Sequence, residues 1–157
     1  MNETDSHRSS RAEPACQANA IQTRDDDIQA RYDELVRAAE ATVRVYTPAE
    51  ATDLAGEPGI LFVDVRDAVE LSEGIVSGAI HASRGRLETH LIPENPRYVS
   101  DLEDAAEIIF YCASGARSAF AAQRARELGY DRVGHLDGGI SAWKDAGGPM
   151  HVVDDRW

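Results

Sequence analysis

Two short runs constrain the fold of this chain more than anything else in it. Residues 60–65 (Ile-Leu-Phe-Val-Asp-Val) and 107–111 (Glu-Ile-Ile-Phe-Tyr) are apolar on both faces. A strand of that kind is covered on both sides and lies inside a sheet. Shorter strands are expected at 44–46, 78–82 and 132–136. Helices fall between them. Thr47-Pro48-Ala49-Glu50 places a cap, a proline at the first helical position and an acidic residue closing the box, and that helix ends near Gly56. Asp67 and Glu70 cap a second helix, which stops at Gly74. A brief helix is expected at 86–91, a longer one at 118–128 stopped by Gly129, and a last one at 140–146. Pro93 and Pro96 mark an irregular loop. Strands alternating with helices imply an α/β fold: a central, mostly parallel five-stranded sheet with helices on both faces.

The flanks differ from this core. Residues 1–24 read as a disordered polar tail. Residues 25–42 read as an amphipathic helix, with Thr23 as cap and Asp25, Asp26 and Asp27 at the positive end of its dipole. Ile28, Tyr32, Leu35, Ala39 and Thr42 share one face of it, as in a helix docked on the main domain; the alternative is a homodimerisation helix. The main domain is expected at 43–150 and a C-terminal tail at 151–157.

The net charge of −12 argues against nucleic acid or an anionic membrane as partner. No residues near the N-terminus form an apolar signal core, and no run is long enough to span a bilayer, so the cytoplasm is the expected location. The two cysteines, Cys16 and Cys112, read as free thiols in a reducing compartment. Neither stands in a metal-ligand pattern.

The informative segment is Cys112-Ala113-Ser114-Gly115-Ala116-Arg117-Ser118, a six-residue loop (112–117) after the second double-faced strand, leading into a helix that opens at Ser118. In open parallel sheets, sites form beyond the carboxyl ends of strands. Loop amides and the helix dipole can converge on an anion there. Gly115 permits a turn that a side chain hinders, and Ala113, Ser114 and Ala116 leave room above the sulfur. A thiol at a helix N-terminus ionises about one to five units below the usual value of about 8.5. Two units correspond to about 2.7 kcal/mol. A dipole supplies about 0.3–1 kcal/mol and each hydrogen bond to a charged group about 1.5–3. Loop and dipole together are enough without a paired histidine. Arg117 adds a planar cationic fork suited to a sulfonate or phosphate head.

These motifs resemble the rhodanese-like family, specifically the small single-domain sulfurtransferases. The similarity runs from about Val43 to Met150. Residues 61–66 with Glu70 look like its first block, 74–82 like its second, 112–118 like its active-site loop, and 128–143 like its closing block. Ile75 and Ser77 stand where the family usually has His and Pro. The resemblance implies a two-step mechanism. Cys112 attacks the outer sulfur of thiosulfate or a similar donor, sulfite leaves, and amides from Ala113 to Ser118 hold the persulfide. Cyanide, a thiol or another protein's cysteine then accepts the sulfur. No cofactor or metal is implied.

Asp64, Arg66, Arg84 and Arg86 are candidates for the pocket rim. For Arg66 the preferred reading is a brace, paired with Glu70 or another carboxylate. His81, His90 and His135 read as structural, and Trp143 as core. Two rivals remain. A cysteine phosphatase or arsenate reductase uses a C-x5-R loop, whereas four residues separate Cys112 from Arg117. A regulatory or protein-binding module usually lacks the cysteine.

Overall fold

The computed structural model describes residues 25–154, with side chains from Asp27 onward. The polar tail, Cys16, the Thr23 cap and residues 155–157 lie outside the described residues.

Five parallel strands form the sheet, in the order β1-β6-β5-β2-β4. They are β1 (Arg44–Tyr46), β2 (Ile60–Asp64), β4 (Ile80–His81), β5 (Glu107–Tyr111) and β6 (Val133–Leu136). β5 sits at the centre with β2 beside it, as their double-faced apolar pattern requires. The alternation along each strand divides the core in two. Val63, Ile108 and Phe110 join one cluster, with Leu87, Leu91, Ala121, Ala122 and Ala125 of the helices. Phe62, Ile109 and Tyr111 join the other, with Ala51, Ile140 and Trp143. Helices α3 (Leu87–Leu91) and α4 (Ala116–Glu127) thus cover one face, and α2 (Pro48–Leu54) and α5 (Gly139–Asp145) the other. The α2 cap forms as its residues suggest: the Thr47 side chain accepts from the Glu50 N–H at 3.2 Å, with Pro48 in the first turn.

Three features differ from the sequence reading. First, β3 (Ile75–Val76) pairs antiparallel with β7 (Met150–His151) in a separate small sheet. The chain from 151 is therefore not a simple tail, since His151 pairs with Ile75. Two-residue strands carry too little pattern to be seen in sequence. Second, the segment after Asp67 is a 3-10 helix, Ala68–Glu73, and two more 3-10 turns occur at Arg84–Arg86 and Ser100–Leu102. Third, the helix α1 (Asp25–Glu40) docks along α4 mainly at its C-terminal end. Ala39 is fully buried and Tyr32 meets Phe120 edge-on, but Ile28, Tyr32 and Leu35 remain 48, 42 and 60% exposed.

Candidate active site

Cys112 follows the last residue of β5 and is 1% exposed. The loop after it is shorter than the sequence suggests. α4 begins at Ala116, so Ala116, Arg117 and Ser118 form its first turn rather than the loop. The N-cap is Gly115, at φ +118°, a conformation that disfavours a side chain. A glycine cap lacks the Ser, Thr, Asn or Asp signature of a helix start, which is why α4 reads as beginning later. This turn brings the Gly115 N–H onto the Cys112 Sγ at 3.1 Å. The thiol also lies 3.6 Å from the Ser118 Oγ, in donating geometry. Ala113, Ala116 and Arg117 are half-buried and Ser114 is exposed, so small residues lie between the buried sulfur and the surface.

The other side of the loop is held by α5. The Cys112 carbonyl accepts from the Ile140 N–H at 2.8 Å, and the Ala113 carbonyl from the Ser141 N–H at 3.3 Å. Loop carbonyls are thereby turned toward one helix N-terminus while the Gly115 amide faces the sulfur. This close approach depends on Gly139, at φ +61°. A Cβ there would lie 2.5 Å from the Ala113 carbonyl and 2.6 Å from the Cys112 oxygen. Gly139→Ala should destabilise the fold by about 2–4 kcal/mol and displace the loop, through strain and overpacking against backbone. Urea unfolding together with a steady-state assay checks both effects.

The arginines are engaged. Arg117 forms a bidentate pair with Glu70, at 2.7 and 2.9 Å. Its fork is thus occupied by a carboxylate rather than open for a sulfonate or phosphate head. Glu70 also accepts from the Asp67 N–H at 2.8 Å. The hydrogen bond from Arg117, the Asp67 N–H and the charges of Arg117 and Arg66 outweigh partial burial and hold the Glu70 carboxyl down at about 2. The same bond raises the Arg117 guanidinium above its ordinary value. For Glu70, a folded-state value below the unfolded one means that the unfolded state binds the extra proton. Its contribution is therefore present above about 4.5 and is lost as pH falls toward 2. Both side chains are about a third exposed, so solvent screening keeps the contribution at or below about 1 kcal/mol. Glu70→Gln should flatten the fall in stability across this window, measured by urea unfolding at successive pH values.

Asp64 and Arg66 are 0 and 2% exposed and pair with each other, Arg66 Nη2 lying 2.8 Å from Asp64 Oδ2. Arg66 also donates to the Glu70 and Gly74 carbonyls, at 3.2 and 2.8 Å. This is the brace, made with Asp64 rather than with the Glu70 carboxylate. Burial opposes the Arg66 charge, but Asp64 more than restores it, and the guanidinium is held above its ordinary value. Burial and the Asp64 charge push the Tyr111 hydroxyl upward in turn. That hydroxyl accepts from the Val76 N–H at 3.1 Å and so ties β5 to β3.

Arg84 and Arg86 do not join the cysteine loop by any hydrogen bond or ion pair among the described residues. Arg86 lines a neighbouring cavity of about 410 Å³ with Asp67, Ala68, His81, Ser83 and His90. His81 and His90 are bonded to the carbonyls of Arg66 and Arg97, at 2.7 and 2.9 Å, as structural histidines would be. His135 is placed differently: its Nδ1 lies 3.1 Å from the Ser118 Oγ. The sequence carries no sign of this contact, nor of Glu70 meeting Arg117 across 47 positions. Among the described residues no helix is long and apolar enough to cross a membrane, and no three His, Cys, Asp or Glu side chains group in a way that could hold a metal ion.

Comparison with known proteins gives a consistent result. Residues 47–146 match the Rhodanese-like domain family. A sulfurtransferase of Allochromatium vinosum is 36% identical over 97 residues, covering 62% of this chain and 83% of that protein. The structure of a Rhodopseudomonas palustris protein of unknown function, described as a possible tyrosine phosphatase, is 36% identical with a TM-score of 0.71, covering 83% of this chain and 98% of that one. The polysulfide-sulfur transferase homodimer of Wolinella succinogenes is 29% identical with a TM-score of 0.61, covering 83% and 94%. The family match takes in well over half of the chain, and on it this protein belongs to the rhodanese-like family.

Proposed function

We infer that this chain is a sulfurtransferase that carries sulfur as a persulfide on Cys112. The observation that carries the reading is the Gly115 N–H directed at the Cys112 Sγ from 3.1 Å, at the N-terminus of a twelve-residue helix. That arrangement favours an anionic sulfur, whether thiolate or persulfide. The thiolate attacks the outer sulfur of thiosulfate or a related donor; the donor's S–S bond breaks and sulfite leaves with the electron pair. Amides from Ala113 to Ser118 hold the outer sulfur, and cyanide, a small thiol or a protein cysteine accepts it. Arg117, braced on Glu70, contributes positive charge beside the cysteine loop rather than a free fork. The chemistry asks for no cofactor, and a reducing compartment such as the cytoplasm keeps the thiol free.

The name given to the Rhodopseudomonas protein raises phosphatase activity as a second reading. Against it, four residues rather than five separate Cys112 from Arg117, which leaves a smaller cradle, and the arginine is already paired. Assay of the full-length protein with thiosulfate and cyanide should yield thiocyanate in proportion to enzyme. Hydrolysis of an aryl phosphate without thiocyanate would replace this reading by the phosphatase. Neither activity in folded, reduced protein would favour the binding module.

A further inference from the structure

Behind Cys112 runs a line of polar groups that the persulfide chemistry leaves unused. The thiol faces the Ser118 Oγ at 3.6 Å; that hydroxyl can donate to the Gly115 carbonyl at 3.0 Å and lies 3.1 Å from His135 Nδ1, and His135 Nε2 lies 3.1 Å from Glu40 Oε1. Three elements supply the line: α4 gives Ser118, β6 gives His135 and α1 gives Glu40. Ser118 and His135 are both 0% exposed. A buried polar pair of this kind needs satisfied partners or a function. His135 Nε2 has a carboxylate oxygen close by but no well-directed hydrogen bond. Charging the ring would turn that near contact into an ion pair.

The geometry points to His135 as the acceptor of the Cys112 proton, reached through the Ser118 hydroxyl and held by Glu40 of the N-terminal helix. The inference rests on Cys112 being the nucleophile. The Cys112 S–H bond breaks as Ser118 Oγ takes that proton, and Ser118, its O–H turned from the Gly115 carbonyl to His135 Nδ1, passes its own proton there. The result is a thiolate that accepts a hydrogen bond from Ser118 and an imidazolium between Ser118 and Glu40. Attack on the donor leaves a persulfide anion in place of the thiolate, so the imidazolium keeps its proton through the cycle. Burial lowers the affinity of His135 for a proton and so opposes the charged ring; Glu40 and Asp137 offset that in part, and the transfer therefore depends on Glu40. Arg117, in the first turn of α4 with Ser118, is paired to Glu70 and near Asp67. Glu40 is a positioning residue: it acts on the sulfur only through His135. The N-terminal helix is thereby part of the reactive machinery rather than an appendage.

The test is the pH dependence of iodoacetamide alkylation, read at Cys112 by peptide mass spectrometry so that Cys16 does not contribute. Glu40 is only half-buried, so Glu40→Gln keeps the fold; His135 is fully buried and is left intact. Loss of a distant anion alone would ease thiolate formation and move the alkylation midpoint down. The relay gives the opposite sign: Glu40→Gln should move the midpoint up by about one pH unit, a tenfold slower reaction at fixed pH below it. Ser118→Ala should move it up at least as far, and the double variant no further than Ser118→Ala alone. A downward or absent shift in folded Glu40→Gln, or additive shifts in the double variant, would overturn the relay. Absence of sulfur transfer by the wild type would instead remove the sulfurtransferase reading, and the alkylation profile would still report on the relay.

Discussion

Cys112→Ser should abolish thiosulfate-to-cyanide sulfur transfer, by more than about a thousandfold in turnover, while leaving the fold in place. Loss of a nucleophile that forms a covalent intermediate is among the largest single-residue effects on an enzyme. Serine is the sharpest replacement because so little else changes. Its hydroxyl can take over the hydrogen bond from the Gly115 N–H and the contact with Ser118. The carbonyl of residue 112 still accepts from Ile140. The stability cost should therefore stay near 1 kcal/mol. An alcohol does not ionise near neutral pH and forms no persulfide, so turnover should vanish even though the loop stands. Retention of a tenth of the wild-type rate would mean that the sulfur is carried elsewhere.

Arg66→Ala should have the largest effect on stability, about 3–5 kcal/mol, because it strands a buried carboxylate. Asp64 is 0% exposed and receives Arg66 through the backbone N–H, Nε and Nη2. The same guanidinium joins the end of β2 to the carbonyls of Glu70 and Gly74. Removing it frees the segment whose Glu70 holds Arg117 beside the cysteine loop. Typical domains have only about 5–15 kcal/mol in total, so the loss is a large fraction of it. Arg66→Lys, which keeps the charge but not the fork, should cost less. The double variant Asp64→Leu/Arg66→Met should recover part of the stability, since no charge is then stranded. Urea unfolding checks all three; a loss below about 1 kcal/mol for Arg66→Ala would show that the pair is dispensable.

What the sequence reveals and what it conceals follow from the range of the interactions. β2 and β5 are legible because consecutive residues of a twice-covered strand, Ile60 to Val63 and Ile108 to Tyr111, are apolar on both faces, and β5 ends where its apolar run ends. Cys112 is legible as a site because strand, glycine and helix follow one another locally. The start of α4 is less so, because Gly115 caps it from a positive φ instead of through a side chain. The pairing of β3 with β7 joins residues 75 and 151 through two positions each. Arg117 looks free in sequence because its partner, Glu70, arrives from a different crossover. The contacts of His135 with Ser118 and Glu40 are invisible in sequence because the order β1-β6-β5 brings β6 beside the cysteine strand, where residues of α4 and α1 meet it. Gly139 resembles any helix start until Ala113 and Cys112 are seen packed against it.

The most direct test of the account is the intact mass of the reduced full-length protein after brief treatment with thiosulfate. The account predicts a gain of one sulfur atom on the wild type, located at Cys112 by peptide mapping, removed by cyanide with release of thiocyanate, and absent from Cys112→Ser. An unmodified wild type, or the same adduct on Cys112→Ser, would contradict it.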